Sequence, residues 1–346
     1  MKINKKILGL TGAGLIAAGI FAGCAGGSSQ NTTGGNNEKI KVVTTIYPEY
    51  DWVKNVAGNS GNVDVELLLK NGIDIHNYSP SVEDMAKISD CDLFIYVGGP
   101  SDKWVEGALK NAANKNMKVI KLLDVVADNL KEEETVEGMQ DADHDHDNEE
   151  SHGGENAHES HNEEKDTTEY DEHVWLSLRN TERFVDEIKN NLAELDSSNA
   201  DTYSSNAKAY NGELETLDKE YTQAVSSSSL KTILVADRFP FRYMVDDYGL
   251  SYYAAFDGCA AETNASFETI AFLSNKVDEL NLKHVLKIDG SDGKIAKAVV
   301  DNTKNKNQEI LELDSMQSVN DDEINGGTTY LSIMKNNLEV LKKALS

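Results

Sequence analysis

The feature that most constrains the fold is an alternation of short β-type runs with segments of helical periodicity. Eight such runs, rich in Val, Ile and Leu, occur in two groups of four along the 346-residue chain: Ile40–Ile46, Val63–Leu69, Leu93–Val97 and Val119–Leu122, then Thr232–Ala236, Leu250–Ala255, His284–Ile288 and Glu309–Leu313. Alternating strands and helices are typical of βα units, which form parallel sheets with helices on their faces. The sequence therefore predicts an α/β protein with two small parallel-sheet lobes.

A long amphipathic pattern separates the two groups of strands. Its apolar residues recur at steps of three and four: Tyr203, Ala207, Tyr210, Leu214, Leu217, Tyr221 and Ala224. A helix of about 25 residues is about 38 Å long, enough to run along both lobes. We expect a rigid linking helix over residues 200–227 between lobes at 39–199 and 228–346. The alternative is a surface helix that belongs to one lobe only.

The first 23 residues are predicted to be a signal peptide and not part of the fold. Three lysines precede an uncharged stretch, residues 7–20, that is too short to span a bilayer comfortably. The sequence Phe21-Ala22-Gly23-Cys24 resembles a bacterial lipobox, although Phe21 replaces the usual Leu. The resemblance implies cleavage before Cys24, a lipid on its thiol and a place on the extracytoplasmic face of the cell membrane. Residues 24–38 are then a flexible tether; the alternative is an ordinary secreted protein.

Two cysteines remain, Cys91 and Cys259, in different predicted lobes. A disulfide between them would pin the lobes together. We expect two free, buried thiols instead.

The charge of the chain is strongly negative and unevenly distributed. Lys+Arg 33 against Asp+Glu 60 gives a net charge of −27, which disfavours nucleic acid and favours cations as partners. Residues 131–172 hold many of the acids and almost no apolar side chains, so this segment is predicted to be disordered. Most of it, residues 131–169, is predicted to be an insert in the first lobe. It contains five histidines, at 144, 146, 152, 158 and 161. We expect several weak metal sites there; the alternative is a solvated spacer.

Several possible metal ligands follow predicted strands, where parallel sheets bind their ligands. They are His76, His173, Asp237, Asp314 and Glu262. His284 instead begins a strand and is expected to be structural. Two imidazoles and two carboxylates match the chemistry of tetrahedral zinc, which predicts a site in the cleft between the lobes.

The same regions resemble a known family. The segment GIDIHNYSPSVEDMAKISDCDLFIYVGG, Trp104, the later DEHVWLSLRN, Tyr248-Gly249-Leu250 and ELDSM are similar to the metal-binding lipoproteins of zinc and manganese ABC importers, the ZnuA-like and TroA-like proteins. The resemblance covers nearly all of residues 39–346. It implies two lobes with a rigid linking helix and a metal between them, with His76, His173 and Asp314 as ligands.

The family's third ligand, usually His or Glu, falls on Arg238 in this chain. Arginine has no lone pair for a metal. A shift of one residue brings in Asp237, which we favour. Glu262 or a water molecule is the alternative.

These observations together predict a monomeric extracytoplasmic receptor that binds Zn(II) and hands it to an ABC permease. The histidine-rich insert favours zinc over manganese or iron, because manganese binds imidazole weakly. A zinc hydrolase is disfavoured: the chain has no His-Glu-x-x-His motif, and Glu172 is expected to point away from its neighbour His173. We therefore expect no enzyme activity. The remaining alternative is a surface adhesin lipoprotein.

Overall fold

The computed structural model describes residues 39–140, 169–260 and 264–346. The predicted signal peptide and tether with Cys24, the five histidines of the insert, and Glu262 lie outside the described residues. The described residues all belong to one compact unit. Among the helices described, none has both the length and the apolar character needed to cross a membrane.

Two four-stranded sheets form the framework, and every strand pair in them is parallel. The first sheet has the order β2-β1-β3-β4 and the second β6-β5-β7-β8. The strands are β1 Ile40–Thr44, β2 Val63–Leu67, β3 Leu93–Tyr96, β4 Lys118–Lys121, β5 Thr232–Phe239, β6 Ser251–Asp257, β7 His284–Ile288 and β8 Glu309–Leu313. The predicted α/β class and the two parallel-sheet lobes are confirmed.

Helices connect successive strands and cover the sheets. They are α1 Tyr47–Ala57, α2 Val82–Asp90, α3 Val105–Asn111, α4 Leu122–Val125, α5 Leu178–Leu195, α6 Ala200–Ser227, α7 Arg242–Tyr248, α8 Phe267–Leu280, α9 Lys294–Asn302, α10 Asp321–Asn325 and α11 Tyr330–Ala344. Short 3-10 turns occur at Ile75–Asn77, Pro100–Asp102, Val174–Leu176 and Ser197–Asn199.

Helix α6 has the predicted one-sided apolar face. Its 28 residues correspond to a length of about 42 Å. The buried stripe matches the prediction up to Tyr221 and then continues through Val225, not Ala224. The C-terminal helix α11 packs between the lobes: Tyr221 Oη donates to the carbonyl of Met334, and the ring of Tyr330 lies 5.4 Å from that of Trp52. Helix α11 thus contacts both the long helix α6 and helix α1 of the first lobe.

Strand β5 is longer than the sequence predicts, and this changes the setting of one expected ligand. The pairing of β5 with β6 runs from Val235↔Ala254 to Arg238↔Phe256, so three steps along β5 match two along β6. The extra residue is a β-bulge, which redirects the side chains around it. Asp237 therefore lies within an irregular strand and not directly after its end.

The beginning of the acidic segment is ordered, so the predicted disorder over 131–172 is wrong at both of its ends. Glu132 forms a bridge with Tyr170, and the Lys131 amide donates to Tyr243 Oη at 3.1 Å. The Gln140 amide donates to the carbonyl of Ala255 at 2.9 Å. Composition does not reveal this order, because the two ends of the segment are held by backbone hydrogen bonds to other parts of the chain and not by an apolar core of their own.

Candidate metal centre

His76 is held in place by the turn that follows β2. Asp74 Oδ1 accepts the backbone N–H of His76 at 3.0 Å, and buried Ile75 anchors the turn. On the ring, Nδ1 lies 2.9 Å from Ser101 Oγ and 3.1 Å from Glu172 Oε1. Ser101 Oγ also donates to Glu172. The orientation of this imidazole is therefore fixed from its Nδ1 side.

His173 is completely buried and is also held through Nδ1. Asp171 Oδ1 accepts both the His173 backbone N–H, at 2.8 Å, and the ring Nδ1–H, at 3.0 Å. The ring lies 5.1 Å from that of Trp175. Gly258 passes so close that a Cβ added there would lie 2.8 Å from His173 Cε1. The ring has little room to rotate.

The Nε2 nitrogens of the two rings face each other. His76 Nε2 and His173 Nε2 are 3.2 Å apart. A tetrahedral zinc ion with Zn–N bonds of about 2.0–2.1 Å holds two nitrogen ligands about 3.3 Å apart. Because each Nδ1 is bound to a carboxylate, each Nε2 is the nitrogen left to coordinate, as in carboxylate–histidine–metal arrangements. The prediction that these two histidines converge agrees with the structure.

The surrounding charges favour protonation of His173 when no metal is bound. Burial lowers the pKa of His173, but the carboxylates of Asp171 and Glu172 outweigh burial, so the pKa lies above its ordinary value. With its amide turned to satisfy its partners, Gln317 places its oxygen 2.8 Å from His173 Nε2, where it accepts a hydrogen bond when that nitrogen carries a proton. Coordination of a metal by Nε2 requires that nitrogen to be unprotonated.

Glu172 contacts the other histidine and not its neighbour in sequence. Its carboxylate is buried against His76 Nδ1 and Ser101, and Gly99 leaves the room for it. Burial raises the pKa of Glu172, but His76, His173 and Ser101 together lower it below its ordinary value. Sequence reasoning assigned no role to Glu172 or Asp171. The rule that a ligating histidine donates its second N–H to a carboxylate could have identified both.

Cys259 is the other residue that sequence reasoning missed. His76, His173 and Cys259 each offer one ligand atom, and these three atoms lie within 4.8 Å of one another. In the part of the chain that the structure describes, these residues form the close group that could hold a metal ion. Cys259 follows β6 at its carboxyl end, so the strand-end rule applied to Glu262 would also have found it. Both cysteines are free, as predicted, but Cys259 is only partly buried.

The two predicted carboxylates do not belong to this close group. Asp237 Oδ1 accepts the backbone N–H of Arg238 at 3.0 Å and lines a neighbouring cavity of about 620 Å³. Asp314 Oδ1 accepts the N–H of Met316 at 2.7 Å. Burial, with the nearby charge of Asp289, raises the pKa of Asp314 to about 7.

Arg238 forms an ion pair beside the histidines. Its Nη2 lies 2.6 Å from Asp74 Oδ2. Burial raises the pKa of Asp74, but Arg238 and His76 more than reverse this, so that pKa lies below its ordinary value. The position where the resembled family has its third ligand is thus occupied by a cation with a partner of its own.

Comparison with known proteins identifies the family of this chain. The family model described as zinc-uptake complex component A, periplasmic (ZnuA), matches residues 42–344. The chain belongs to the ZnuA family. The resemblance seen in the sequence is confirmed, and a ZnuA-type binding component is not an enzyme, in agreement with the prediction.

Several relatives in the family are similar over most of the chain. Zinc-binding protein AdcA of Streptococcus pyogenes serotype M3 is 31% identical over 304 residues, 88% of this chain and 56% of that protein. The chain thus spans just over half the length of that relative. The high-affinity zinc uptake system protein ZnuA of Bacillus subtilis is 26% identical over 326 residues, 94% of both chains.

Solved structures show the same fold. The Zn(II)-bound ZnuA-like domain of Streptococcus pneumoniae AdcA superposes with a TM-score of 0.67 at 26% identity, covering 89% of this chain and 99% of that domain. Laminin-binding protein Lmb of Streptococcus agalactiae, described as having adhesin and metal-transporting activity, gives a TM-score of 0.66 at 26% identity and covers 89% of this chain and 100% of Lmb.

Proposed function

We propose that this protein is an extracytoplasmic receptor that binds Zn(II) with high affinity and delivers it to an ABC-type importer. The observation that carries the proposal is the 3.2 Å separation of the two Nε2 atoms of His76 and His173, each ring fixed by a carboxylate on its other nitrogen. This is the spacing that one zinc ion requires of two nitrogen ligands. Relatives named as zinc-binding and zinc-uptake proteins support the same conclusion.

His76 and His173 are the two nitrogen ligands in this proposal. Asp237 and Asp314 remain predicted carboxylate ligands, and each has to move towards the histidines when the metal binds. Asp314 sits between β8 and the loop that carries Gln317, so a small shift of that loop moves both side chains. Asp237 lies at the β-bulge, where the strand is least regular.

Zinc is the proposed ion, and manganese or iron is the alternative. Imidazole nitrogens at a short separation suit zinc better than manganese, which prefers oxygen ligands. The histidines of the insert, at 144, 146, 152, 158 and 161, add weak sites of the same preference. We propose that they collect or buffer zinc near the main site.

The anchoring and the partner belong to the same proposal. Lipidation of Cys24 would hold the protein on the outer face of the cytoplasmic membrane, where it meets its permease as a monomer. The Streptococcus pneumoniae relative, 30% identical over 305 residues, is named a zinc-binding lipoprotein. Mass spectrometry of the membrane-extracted protein tests this: a diacylated N-terminal cysteine supports it, and an unmodified chain contradicts it.

Zinc titration calorimetry tests the binding site itself. His76→Ala and His173→Ala should each lose the single tight site while the weak sites of the insert remain. His284→Ala is the matched control, because that histidine begins β7 and lies 3.7 Å from Glu309, apart from the close group. Unchanged tight binding in both cleft variants would overturn the proposal. A tight site that prefers manganese in competition would replace zinc as the cargo.

A further inference from the structure

The second lobe lacks the ligand that would be expected from its first strand. Arg238 stands at that position, cannot coordinate a metal, and is bound to Asp74 at 2.6 Å. Asp237, one residue earlier, accepts the backbone N–H of Arg238 and lies outside the close group of ligand atoms around the two histidines. As it stands in this structure, strand β5 therefore adds no ligand atom to that group.

The loop that follows β6 fills this gap. Asp257 Oδ1 accepts the backbone N–H of Cys259 at 3.0 Å, which fixes the turn. Gly258 lets the turn pass against the ring of His173, where any Cβ would be 2.8 Å from Cε1. The turn thereby brings the thiol of Cys259 into the group whose ligand atoms lie within 4.8 Å of one another.

The neighbouring rings provide independent support for a ligand here. The side chains of His76 and His173 are 8% and 0% exposed, and their Nε2 atoms point into the same small space. Cys259 Sγ lies 3.9 Å from Glu172 Oε1, the carboxylate that also holds His76. A buried pair of coordinating nitrogens with a thiol beside it matches the His and Cys donor sets of zinc proteins.

We propose that Cys259 is a zinc ligand, giving a site of two histidines and one thiolate with a fourth position for a carboxylate or water. This inference rests on the proposed function and names a donor from the second lobe; either of the predicted carboxylates, Asp237 or Asp314, would then occupy the fourth position. On binding, the S–H proton leaves to solvent and the sulfur lone pair forms the bond to zinc, with no change in oxidation state. Zn–S and Zn–N bonds of about 2.3 Å and about 2.0–2.1 Å require the ligand atoms, now within 4.8 Å of one another, to move closer together when zinc binds.

A thiolate makes the site selective. Sulfur binds zinc and other borderline or soft ions strongly, whereas manganese, magnesium and calcium prefer oxygen donors. Cys259 therefore disfavours manganese by the chemistry of the donor. The structure assigns to this one residue the preference that the sequence attributed to the histidine-rich insert.

Cobalt(II) spectroscopy on the chain from residue 25 onward, which contains the compact unit and no Cys24, tests the assignment. Wild-type protein should show tetrahedral d–d bands and a near-ultraviolet sulfur-to-cobalt charge-transfer band. Cys259→Ser should lose the charge-transfer band and bind zinc more weakly. The loss of affinity should exceed the factor of about 10–100 that loss of a partner supporting a ligand costs. The preference of this variant for zinc over manganese should shrink as well. Cys91→Ala is the matched control and should keep both the band and the affinity.

The outcomes separate this inference from the proposed function. Absence of any tight cobalt or zinc site in the wild-type protein overturns the proposed function. Tight binding without a charge-transfer band, or a Cys259→Ser variant with unchanged zinc affinity, overturns the role of Cys259 alone. If Cys259→Ser does not fold, the charge-transfer band of the wild-type protein still tests the assignment. Iodoacetamide labelling provides a second test, because bound zinc should protect Cys259 from alkylation. Alkylation of Cys259 in the zinc-loaded protein would contradict the assignment.

Discussion

The guanidinium of Arg238 and the carboxylate of Asp74 form an ion pair at 2.6 Å that joins strand β5 of the second sheet to the loop that carries His76. The same Asp74 accepts the backbone N–H of His76. Arg238, at the position where the sequence resemblance implies a ligand, thus fixes the turn that carries the proposed ligand His76. The ion pair also explains how the cation can lie beside the candidate metal centre, since its charge is neutralised by Asp74.

Glu172→Gln should weaken zinc binding by about 10–100-fold without unfolding the protein, because the amide is a poorer partner for His76 Nδ1 than a carboxylate. Competition against a chelator of known affinity measures the change. Glu213→Gln, on the exposed face of α6, is the control and should bind as wild type does. Equal affinities of the two variants would remove Glu172 from the support of the site.

Gly258→Ala should also weaken zinc binding, by about tenfold or more, because the new Cβ displaces the ring of His173. Gly107→Ala provides the matched control: nothing lies within 4 Å of a Cβ at that glycine, which is in α3. The control should bind zinc normally and gain about 0.5–1 kcal/mol of stability. Normal zinc affinity in Gly258→Ala would show that the His173 ring can move at no cost to the site.

Deleting residues 141–168 should leave the tight site intact and remove the weak ones, because the proposed ligands lie outside that range. A deletion of residues 131–168 should also lower the thermal stability of the protein, since it removes the contacts of residues 131–140 with Tyr243 and Ala255. Calorimetry and thermal unfolding of the two deletions distinguish these effects. Loss of the tight site in the shorter deletion would mean that the insert supplies a primary ligand.

The stability of the metal-free protein should fall as pH rises from about 5 to about 8, in part through Glu49. Burial, with the nearby charge of Asp102, raises the pKa of Glu49 from 4.5 to about 8. In that window the folded state retains a proton that the unfolded state has lost, so its free energy of unfolding decreases by up to about 1.4 kcal/mol per pH unit.

Glu49→Gln removes this proton and should flatten the pH dependence. The Gln side chain keeps an oxygen to accept the N–H groups of Thr45 and Ile46. Urea unfolding of both proteins at several pH values measures the two slopes. Parallel slopes would mean that Glu49 titrates normally in the folded protein.

The sequence determined the elements and two of the proposed ligands. Strand and helix periodicity are local properties, so the eight strands and the stripe on α6 could be located within a few residues. His76 and His173 were found because each follows a strand, and parallel strands present their carboxyl ends at a common edge.

Only the tertiary structure decided how the rest of the site is built. The bulge in β5, the pairing of Arg238 with Asp74 and the turn of Glu172 towards His76 depend on contacts between residues far apart in sequence. The place of Cys259 beside two histidines from the other lobe depends on the same packing. The packing of the two sheets determines which side chains meet across the cleft. Local residue patterns do not contain this information, because the residues that meet are far apart in sequence.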